Sequence, residues 1–272
     1  FVRPYKMVEP EKIQRMFEAS RRASHWGNVQ SLRAVAVFRD SATAEELESL
    51  QAFVVGWQVK IAPVVIIWYC DPTAVDGQSD RLHELPDAGA LGFGDKAARK
   101  KALDEVLIPI FDGILEAAKE PGGLNYVDCG QGIAQATLMA YEQGLGTCCL
   151  GSPFGEKMFK ALGIPDYCQF LLMQTVGYPA EDWEAGGQRP RLPFGELYKM
   201  NHFDKPFPRS DEVVAELTED GLITREGPLD DPPRGFVTGR ARPDVEVVRV
   251  NTGNRECLVP VLRDRMLELL GE

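Results

Sequence analysis

Polar side chains crowd the short segment that joins the first helical pattern to the first strand-like run. The stretch SRRASHWGNVQSLRAVAVF, residues 20–38, places Ser24, Asn28 and Gln30 between the two elements. An ordinary helix-to-strand connection needs a helix-ending residue such as glycine and little more. Amide side chains both donate and accept hydrogen bonds, so this junction has more hydrogen-bonding capacity than a plain connection requires.

The glycine-rich stretch GLGTCCLG, residues 144–151, is not a dinucleotide-binding fingerprint. That fingerprint follows a strand and opens a helix, so that the helix N-terminus meets the pyrophosphate. Here the predicted order is helix, turn and strand, which indicates a helix C-terminus. Gly151 lies beyond that end, where a glycine allows a ligand to approach the backbone closely.

Nucleophilic and metal chemistry find little support in the sequence. No GxSxG motif occurs, and His25, His83 and His202 lie in separate loop-like segments. No His/Asp/Glu spacing is typical of a metal site, so we predict no metal. The six cysteines lack CxxC spacing and are expected to be buried free thiols, with a redox-active thiol as the alternative.

Three arginines are candidates for binding an anion. Arg3 lies near the start, and Arg189 and Arg191 lie in GGQRPRLP after the last predicted strand of the main domain. A guanidinium group can contact a phosphate in a bidentate manner. By composition alone, three solvated arginines are the simpler interpretation.

Alternating helical and strand-like patterns indicate the elements that position these residues. Apolar residues at helical spacing predict helices over 9–23, 43–57, 95–119, 127–144 and 154–164. Strands are predicted at 33–40, 62–70 and 167–179, with a short strand and turn at 147–154. Residues 71–95 are expected to form a loop or lid. Because helices outweigh strands, the predicted class is α+β or a layered α/β core.

Composition restricts the class of partner and the compartment. The chain has 272 residues, 44% of them hydrophobic, and a net charge of −11. This charge repels nucleic-acid phosphates, and the longest apolar run, residues 61–70, is too short to span a bilayer. We therefore predict a cytoplasmic protein with no nucleic-acid or membrane partner. A change to Pro/Gly-rich, acidic sequence predicts a main domain over 1–205 and a C-terminal extension over 206–272 with one modest helix.

Four segments taken together resemble the nitroreductase family of FMN-dependent oxidoreductases. VRPYK resembles the end of the family's N-terminal arginine-rich motif, and SHWGNVQSLR resembles its Ser/Asn/Gln junction. VDCGQGIAQATLMAYEQGLGTCCLGSP is similar to the central helix and following turn, and GYPAEDWEAGGQRPRLPF to the closing strand, loop and basic pair. Order and spacing match over roughly residues 1–200. Ser31 and Leu32 replace the family's Pro-Trp, and its Arg-Arg-Ser would precede Phe1.

The resemblance implies a three-layer α+β sandwich, in which helices flank a central mixed or antiparallel sheet, followed by a C-terminal extension. It also implies a homodimer that holds FMN at the subunit interface, with the extension wrapping the partner. The apolar helix predicted over 127–144 suits such an interface, because a helix with little charge around its circumference is buried in a core or between subunits.

The resemblance places one group of residues at the flavin ring. Asn28 would bind the pyrimidine edge, supported by Ser24 and Gln30. Arg3 would lie near N1 and the C2 carbonyl, where a cation stabilises the negative charge of the reduced ring.

A second group would hold the rest of the cofactor. The turn at Leu150 and Gly151 matches the segment that presents a backbone N–H to flavin N5. Arg189 and Arg191 match the pair that holds the ribityl phosphate.

The implied reaction passes hydride from NADH or NADPH to FMN N5 and then to an electron-poor acceptor, nitroaromatic or quinone-like, in two half-reactions. His25 is a speculative proton donor for the second half-reaction. One alternative is an oxidase, dehydrogenase, reductive dehalogenase or flavin-cleaving enzyme of the same fold. Another is a flavin-binding module without turnover.

Overall fold

Four antiparallel strands form the central sheet of a computed structural model, in the order β1-β2-β4-β3. The strands are β1 (Leu32–Phe38), β2 (Val64–Cys70), β3 (Gly146–Leu150) and β4 (Gln169–Gly177). Side chains are described for residues 2–52, 56–91, 94–180, 191–220 and 223, and the backbone alone for two further strands between 245 and 262. All four predicted strands are present, and their pairing is antiparallel throughout the described sheet.

Helices cover both faces of this sheet. One layer contains α1 (Pro10–Ser20) and α8 (Gly123–Glu142), and the other contains α2 (Ala44–Ser49), α3 (Gly56–Ile61) and α9 (Gly155–Leu162). The predicted three-layer α+β sandwich is therefore confirmed.

The central strand β2 explains how two cores form. Successive side chains of a strand point to opposite faces, so Val65 and Ile67 join the core under α3 and α9, whereas Val64, Ile66 and Trp68 join the core under α1 and α8. All five are at most 2% exposed. The continuous apolar run of β2 is thus that of a strand buried on both faces.

Residues 71–95 were expected to form a loop, but much of this segment is helical. A 3-10 turn at Pro72–Gly77 leads directly into α4 (Gln78–Glu84). Asp71 starts the turn, since its side chain accepts a hydrogen bond from the Thr73 amide and Pro72 occupies the first turn, where its missing N–H costs nothing. Two of the aspartates that indicated a loop, Asp71 and Asp95, act as helix-capping residues here.

The remaining helical predictions hold with changes of boundary. Residues 43–57 contain parts of two helices instead of one, because Leu50 adopts an extended conformation after α2. Thr43 begins α2 and forms a capping box with Glu46. The segment from residue 94 to residue 122 contains α5 (Lys96–Ala102), a π-helical segment (Leu103–Leu107), α6 (Ile108–Asp112) and α7 (Leu115–Lys119).

The structure divides into two units, Phe1–Ala180 and Glu181–Glu272. The second unit contains α10 (Phe194–Leu197), α11 (Asp211–Glu219) and a hairpin of β5 (Val245–Asn251) and β6 (Glu256–Leu262). α11 is the modest helix expected in the extension, and the hairpin was not predicted. The division of the chain at residue 205 stays a prediction.

Candidate functional site

The strand register determines how far apart the predicted site residues lie in one chain. Val2 pairs with Pro179 just beyond the end of β4, and the Arg3 amide donates to the Tyr178 carbonyl at 2.8 Å. The start of β1 lies at the opposite end, where Leu32 pairs with Cys70 and Cys70 with Gln169. Arg3 and the junction are therefore about 30 Å apart along the sheet, at roughly 3.3 Å per strand residue.

The turn after β3 lies between these two ends. Leu150 pairs with Met173, about midway along β4, and β3 and β1 form opposite edges of the four-stranded sheet. Leu150 is buried, whereas Gly151 is exposed, and a Cβ added to Gly151 would meet no atom of the described residues within 4 Å. The turn is anchored because Ser152 Oγ donates to the Gln51 carbonyl at 2.6 Å. The backbone at Gly151 is thus open to an approaching ligand.

The junction itself has an unusual backbone. Its 3-10 turn, Trp26–Asn28, contains Gly27 and Asn28 at φ 48° and 55°, and Gln30 follows at φ 54°. A left-handed conformation is uncommon for residues other than glycine, and it persists only where the surrounding structure imposes it. Non-glycine residues with positive φ cluster at functional sites, which supports a binding role for this turn.

Two of the predicted junction residues contact each other. Gln30 Nε2 donates to Asn28 Oδ1 at 3.0 Å, so the two amides form one polar surface. Ser24 is exposed at the start of the junction.

Side chains from distant elements hold this turn in place. On α8, Asp128 Oδ2 accepts from the Trp26 amide at 2.7 Å, and Asn125 Oδ1 accepts from the Trp26 indole at 2.7 Å. On α4, Arg81 Nε donates to the Asn28 carbonyl at 3.0 Å, and Arg81 also donates to the Ala74 carbonyl.

These contact residues were missed in the sequence. The available signal was a pair of polar residues, Asn125 and Asp128, in a helix that is apolar on most faces; they are 1% and 6% exposed. Buried polar groups are normally hydrogen-bonded, so their presence in such a helix indicates a specific partner. Arg81 offered no comparable signal.

His25 lies beside the same carboxylate. Its side chain is 6% exposed, and its Nδ1 lies 3.8 Å from Asp128 Oδ2 without a hydrogen-bond partner among the described residues. Burial lowers the pKa of His25, and the Asp128 charge partly opposes this effect. His25 therefore favours the neutral form in the folded protein.

A second set of contacts joins the junction to β2. Arg33 Nη1 donates to the Gln30 carbonyl at 2.6 Å, and Arg33 Nη2 lies 3.3 Å from Asp71 Oδ2. The Asp71 amide donates to the Ser31 carbonyl at 2.8 Å. The buried Ser31 hydroxyl lies 3.7 Å from the sulfur of Cys129.

The Arg3 end is built mainly from backbone pairing. Arg3 Nε donates to the Pro179 carbonyl at 2.9 Å, which uses one of the five N–H donors of the guanidinium. Tyr178 donates its hydroxyl to Glu9 at 2.6 Å, and the Nζ atoms of Lys6 and Lys12 lie over its ring. Among the described residues in these contacts, Arg3, Lys6 and Lys12 are cationic and Glu9 is the acidic one.

Two predicted residues belong to the second unit. Arg191 is exposed, and Arg189 lies outside the described residues. Within the described ranges no group of three or more potential metal ligands occurs, and no helix there combines the length and apolar character needed to cross a bilayer.

Known proteins share this chain's sequence pattern and its fold. The model of the nitroreductase family matches residues 2–178. An NADPH-dependent oxidoreductase of Staphylococcus haemolyticus is 28% identical over 40% of this chain and 47% of its own length, so less than half of that relative is covered. An NADH dehydrogenase of Thermus thermophilus is 28% identical over 68% of this chain and 82% of its own length.

Solved structures agree on the fold. A protein from Exiguobacterium sibiricum, named a nitroreductase and solved in complex with FMN, superposes with a TM-score of 0.60 at 18% identity, over 74% of this chain and 90% of the other. A nitroreductase-like protein from Streptococcus mutans gives a TM-score of 0.59 at 20% identity, over 74% and 92%. The predicted resemblance is confirmed.

Proposed function

Because the chain belongs to the nitroreductase family, a family of oxidoreductases, we propose that it is an FMN-dependent enzyme that passes reducing equivalents from NADH or NADPH to an electron-poor acceptor of the nitroaromatic or quinone type. The observation that carries the proposal is the strained amide-bearing turn at Asn28 and Gln30, held at the end of a nitroreductase-like sheet. The names of the two relatives support a nicotinamide donor, and the E. sibiricum protein supports FMN.

The described residues fit the chemistry of FMN. The paired amides of Asn28 and Gln30 can both donate and accept at the edge of the flavin pyrimidine, with Ser24 nearby. Gly151 leaves its backbone open, as a contact to N5 requires. Arg3 would supply a cation for the N1 side of the ring. The family resemblance assigns the phosphate to the guanidinium groups of Arg191 and of Arg189, which lies outside the described residues.

The distances within one chain favour a site built from two subunits. Arg3 and Asn28 are about 30 Å apart along the sheet, farther than one flavin ring reaches. A homodimer resolves this separation when the junction of one subunit meets Arg3 of the other. We propose such a dimer with two equivalent sites.

The exposed face of α8 supports the dimer. Leu124, Val127, Leu138 and Tyr141 are between 49% and 69% exposed, and they follow one another along the helix at intervals that share a face. Gly130 and Ala134 lie between them and are also exposed. A contiguous apolar face of this kind marks a protein–protein contact.

The residues of the chain would contribute charge, orientation and exclusion of water. FMN when bound would supply the atom that accepts and donates hydride. Arg3 would favour reduction by stabilising negative charge beside N1, and the junction amides would fix the ring. His25, buried and neutral, would be a proton source for the acceptor only after taking up a proton. The availability of NAD(P)H suits a cytoplasmic location.

A visible absorption spectrum and an anaerobic reduction test this function. The purified protein, after incubation with FMN, is expected to retain flavin absorbance and to bleach when NADH or NADPH is added. Flavin absorbance that persists with both donors would favour a substrate oxidase or a flavin-binding module. Protein that cannot retain FMN would overturn the proposal.

A further inference from the structure

The turn that carries Asn28 is strained, and its own sequence does not explain its conformation. Gly27, Asn28 and Gln30 all have positive φ, a region in which residues other than glycine are strained. Within the turn, the amide of Asn28 returns to the His25 carbonyl at 3.2 Å. External contacts are therefore needed to keep the turn in this conformation.

One set of contacts comes from α8. Asp128 is 6% exposed and accepts a short hydrogen bond from the Trp26 amide, while Asn125 accepts from the indole of Trp26 and donates Nδ2 to the Ala118 carbonyl at 2.7 Å. A carboxylate that accepts from a backbone amide makes one of the stronger hydrogen bonds in proteins. α8 therefore fixes the residue that opens the turn.

The second set comes from α4. Arg81 donates to the Asn28 carbonyl and to the Ala74 carbonyl, and its own carbonyl lies 3.5 Å from Asn28 Nδ2. Gln78, 2% exposed, packs against Gly27 so closely that a Cβ there would lie 1.9 Å from Gln78 Nε2. α4 thus fixes both the backbone and the side-chain amide of Asn28.

We infer that Asp128 and Arg81 are positioning residues that together hold the Asn28 turn in its ligand-ready conformation before any cofactor binds. This inference rests on the proposed function for the identity of the ligand, FMN, but not for the state of the turn itself. Neither residue needs to touch the ligand. Preorganisation of this kind lowers the ordering cost of binding.

Hydrogen exchange in the FMN-free protein tests the turn directly. In Asp128→Ala and in Arg81→Met, the amides of residues 26–30 are expected to exchange about tenfold faster or more, because each variant loses a hydrogen bond to a charged group. Asp128→Asn keeps an acceptor for the Trp26 amide and is expected to restore most of the protection. The control is Thr137→Val, also on α8, which removes a buried bond to Gln174 without touching the turn.

Reconstitution with FMN provides the second measurement. Asp128→Ala and Arg81→Met are expected to bind FMN about tenfold more weakly, with Asp128→Asn close to the native protein and Thr137→Val unchanged. Unchanged exchange of residues 26–30 in both Asp128→Ala and Arg81→Met would overturn the inference, as would equal effects in Thr137→Val. Native protein that does not bind FMN would defeat the proposed function, while the exchange data would still decide the inference.

Discussion

The two ends of the central sheet are held by different kinds of interaction. The junction end depends on side chains from α4 and α8 that reach across the molecule to single backbone atoms of a left-handed turn. The Arg3 end depends on strand pairing between Val2 and Pro179, with exposed polar contacts around Tyr178. The junction is therefore sensitive to the identity of distant residues, whereas the Arg3 end is sensitive to anything that displaces the backbone.

The largest expected effect comes from separating the two ends that are proposed to meet across the dimer. Leu138 is 69% exposed on α8, and Leu138→Lys is expected to convert the dimer to a monomer and to weaken FMN binding by about tenfold or more, since a charge would be buried in the interface. Sedimentation measures the oligomeric state, and FMN titration measures the affinity. The control is Glu156→Lys on α9, exposed on the other helical layer. A Leu138→Lys monomer with native FMN affinity would contradict the two-subunit site.

Two glycine substitutions distinguish the ends from each other. Gly27 has a φ of +48°, and in Gly27→Ala the new Cβ would clash with the Gln78 side chain. In Gly177→Ala the new Cβ would lie 2.7 Å from Val2 Cβ. Each is expected to lower the free energy of unfolding by about 1–3 kcal/mol and to weaken FMN binding.

Hydrogen exchange then shows which end has moved. Gly27→Ala should accelerate amide exchange in residues 26–30 only, and Gly177→Ala should accelerate exchange of the Arg3 amide only. Gly113→Ala, where the nearest atom is 3.5 Å away, is the control. Loosening of both ends by either variant would show that they are not independent.

A smaller effect concerns pH. Burial lowers the pKa of His25 below its usual 6.5 in the folded state, despite Asp128 and with Arg33 also opposing protonation. The stabilisation from neutral His25 is therefore complete above about pH 6.5 and is lost as pH falls toward the folded-state pKa. His25→Gln is expected to reduce the loss of stability between pH 7 and 5, measured by thermal unfolding.

The exposed His83 should behave in the opposite way. Hydrogen bonds to Asp104 and the Ser79 carbonyl raise the pKa of His83, so its contribution is present below pH 6.5 and is lost as pH rises through the folded-state pKa. His83→Gln should therefore change stability only on the acid side. If stability changed with pH equally in His25→Gln and in His83→Gln, the result would contradict the burial of His25.

The features that could be predicted from the sequence are those that depend on local patterns and on the spacing of motifs. The alternation and apolar runs of β1, β2 and β4 identified the strands, and the order of four motifs identified the family. These features depend on residues a few positions apart, so one sequence contains them. The polar side chains of Asn28 and Gln30 marked the junction as a candidate site, but their contact with each other was not predicted.

The remaining features depend on long-range contacts. Nothing near Asn28 indicates that Arg81 holds its carbonyl, or that Asp128 holds the amide of Trp26, because these partners are set by how α4 and α8 pack against the sheet. Helix α4 was missed as well: its N-cap residue, Gly77, provides no side-chain cap, and the 3-10 turn that precedes it starts at Asp71, which also contacts Arg33. The distance between Arg3 and the junction could not be predicted either, because it follows from the strand register.

Subunit complementation tests the central claim most directly. Arg3→Ala and Asn28→Ala homodimers are each expected to bind FMN weakly. If one site uses Arg3 of one subunit and Asn28 of the other, a mixed dimer contains one intact site, and co-expression should restore native-affinity FMN binding to about a quarter of all sites by random pairing. A mixture that binds FMN no better than the average of the two homodimers would contradict a site shared between subunits.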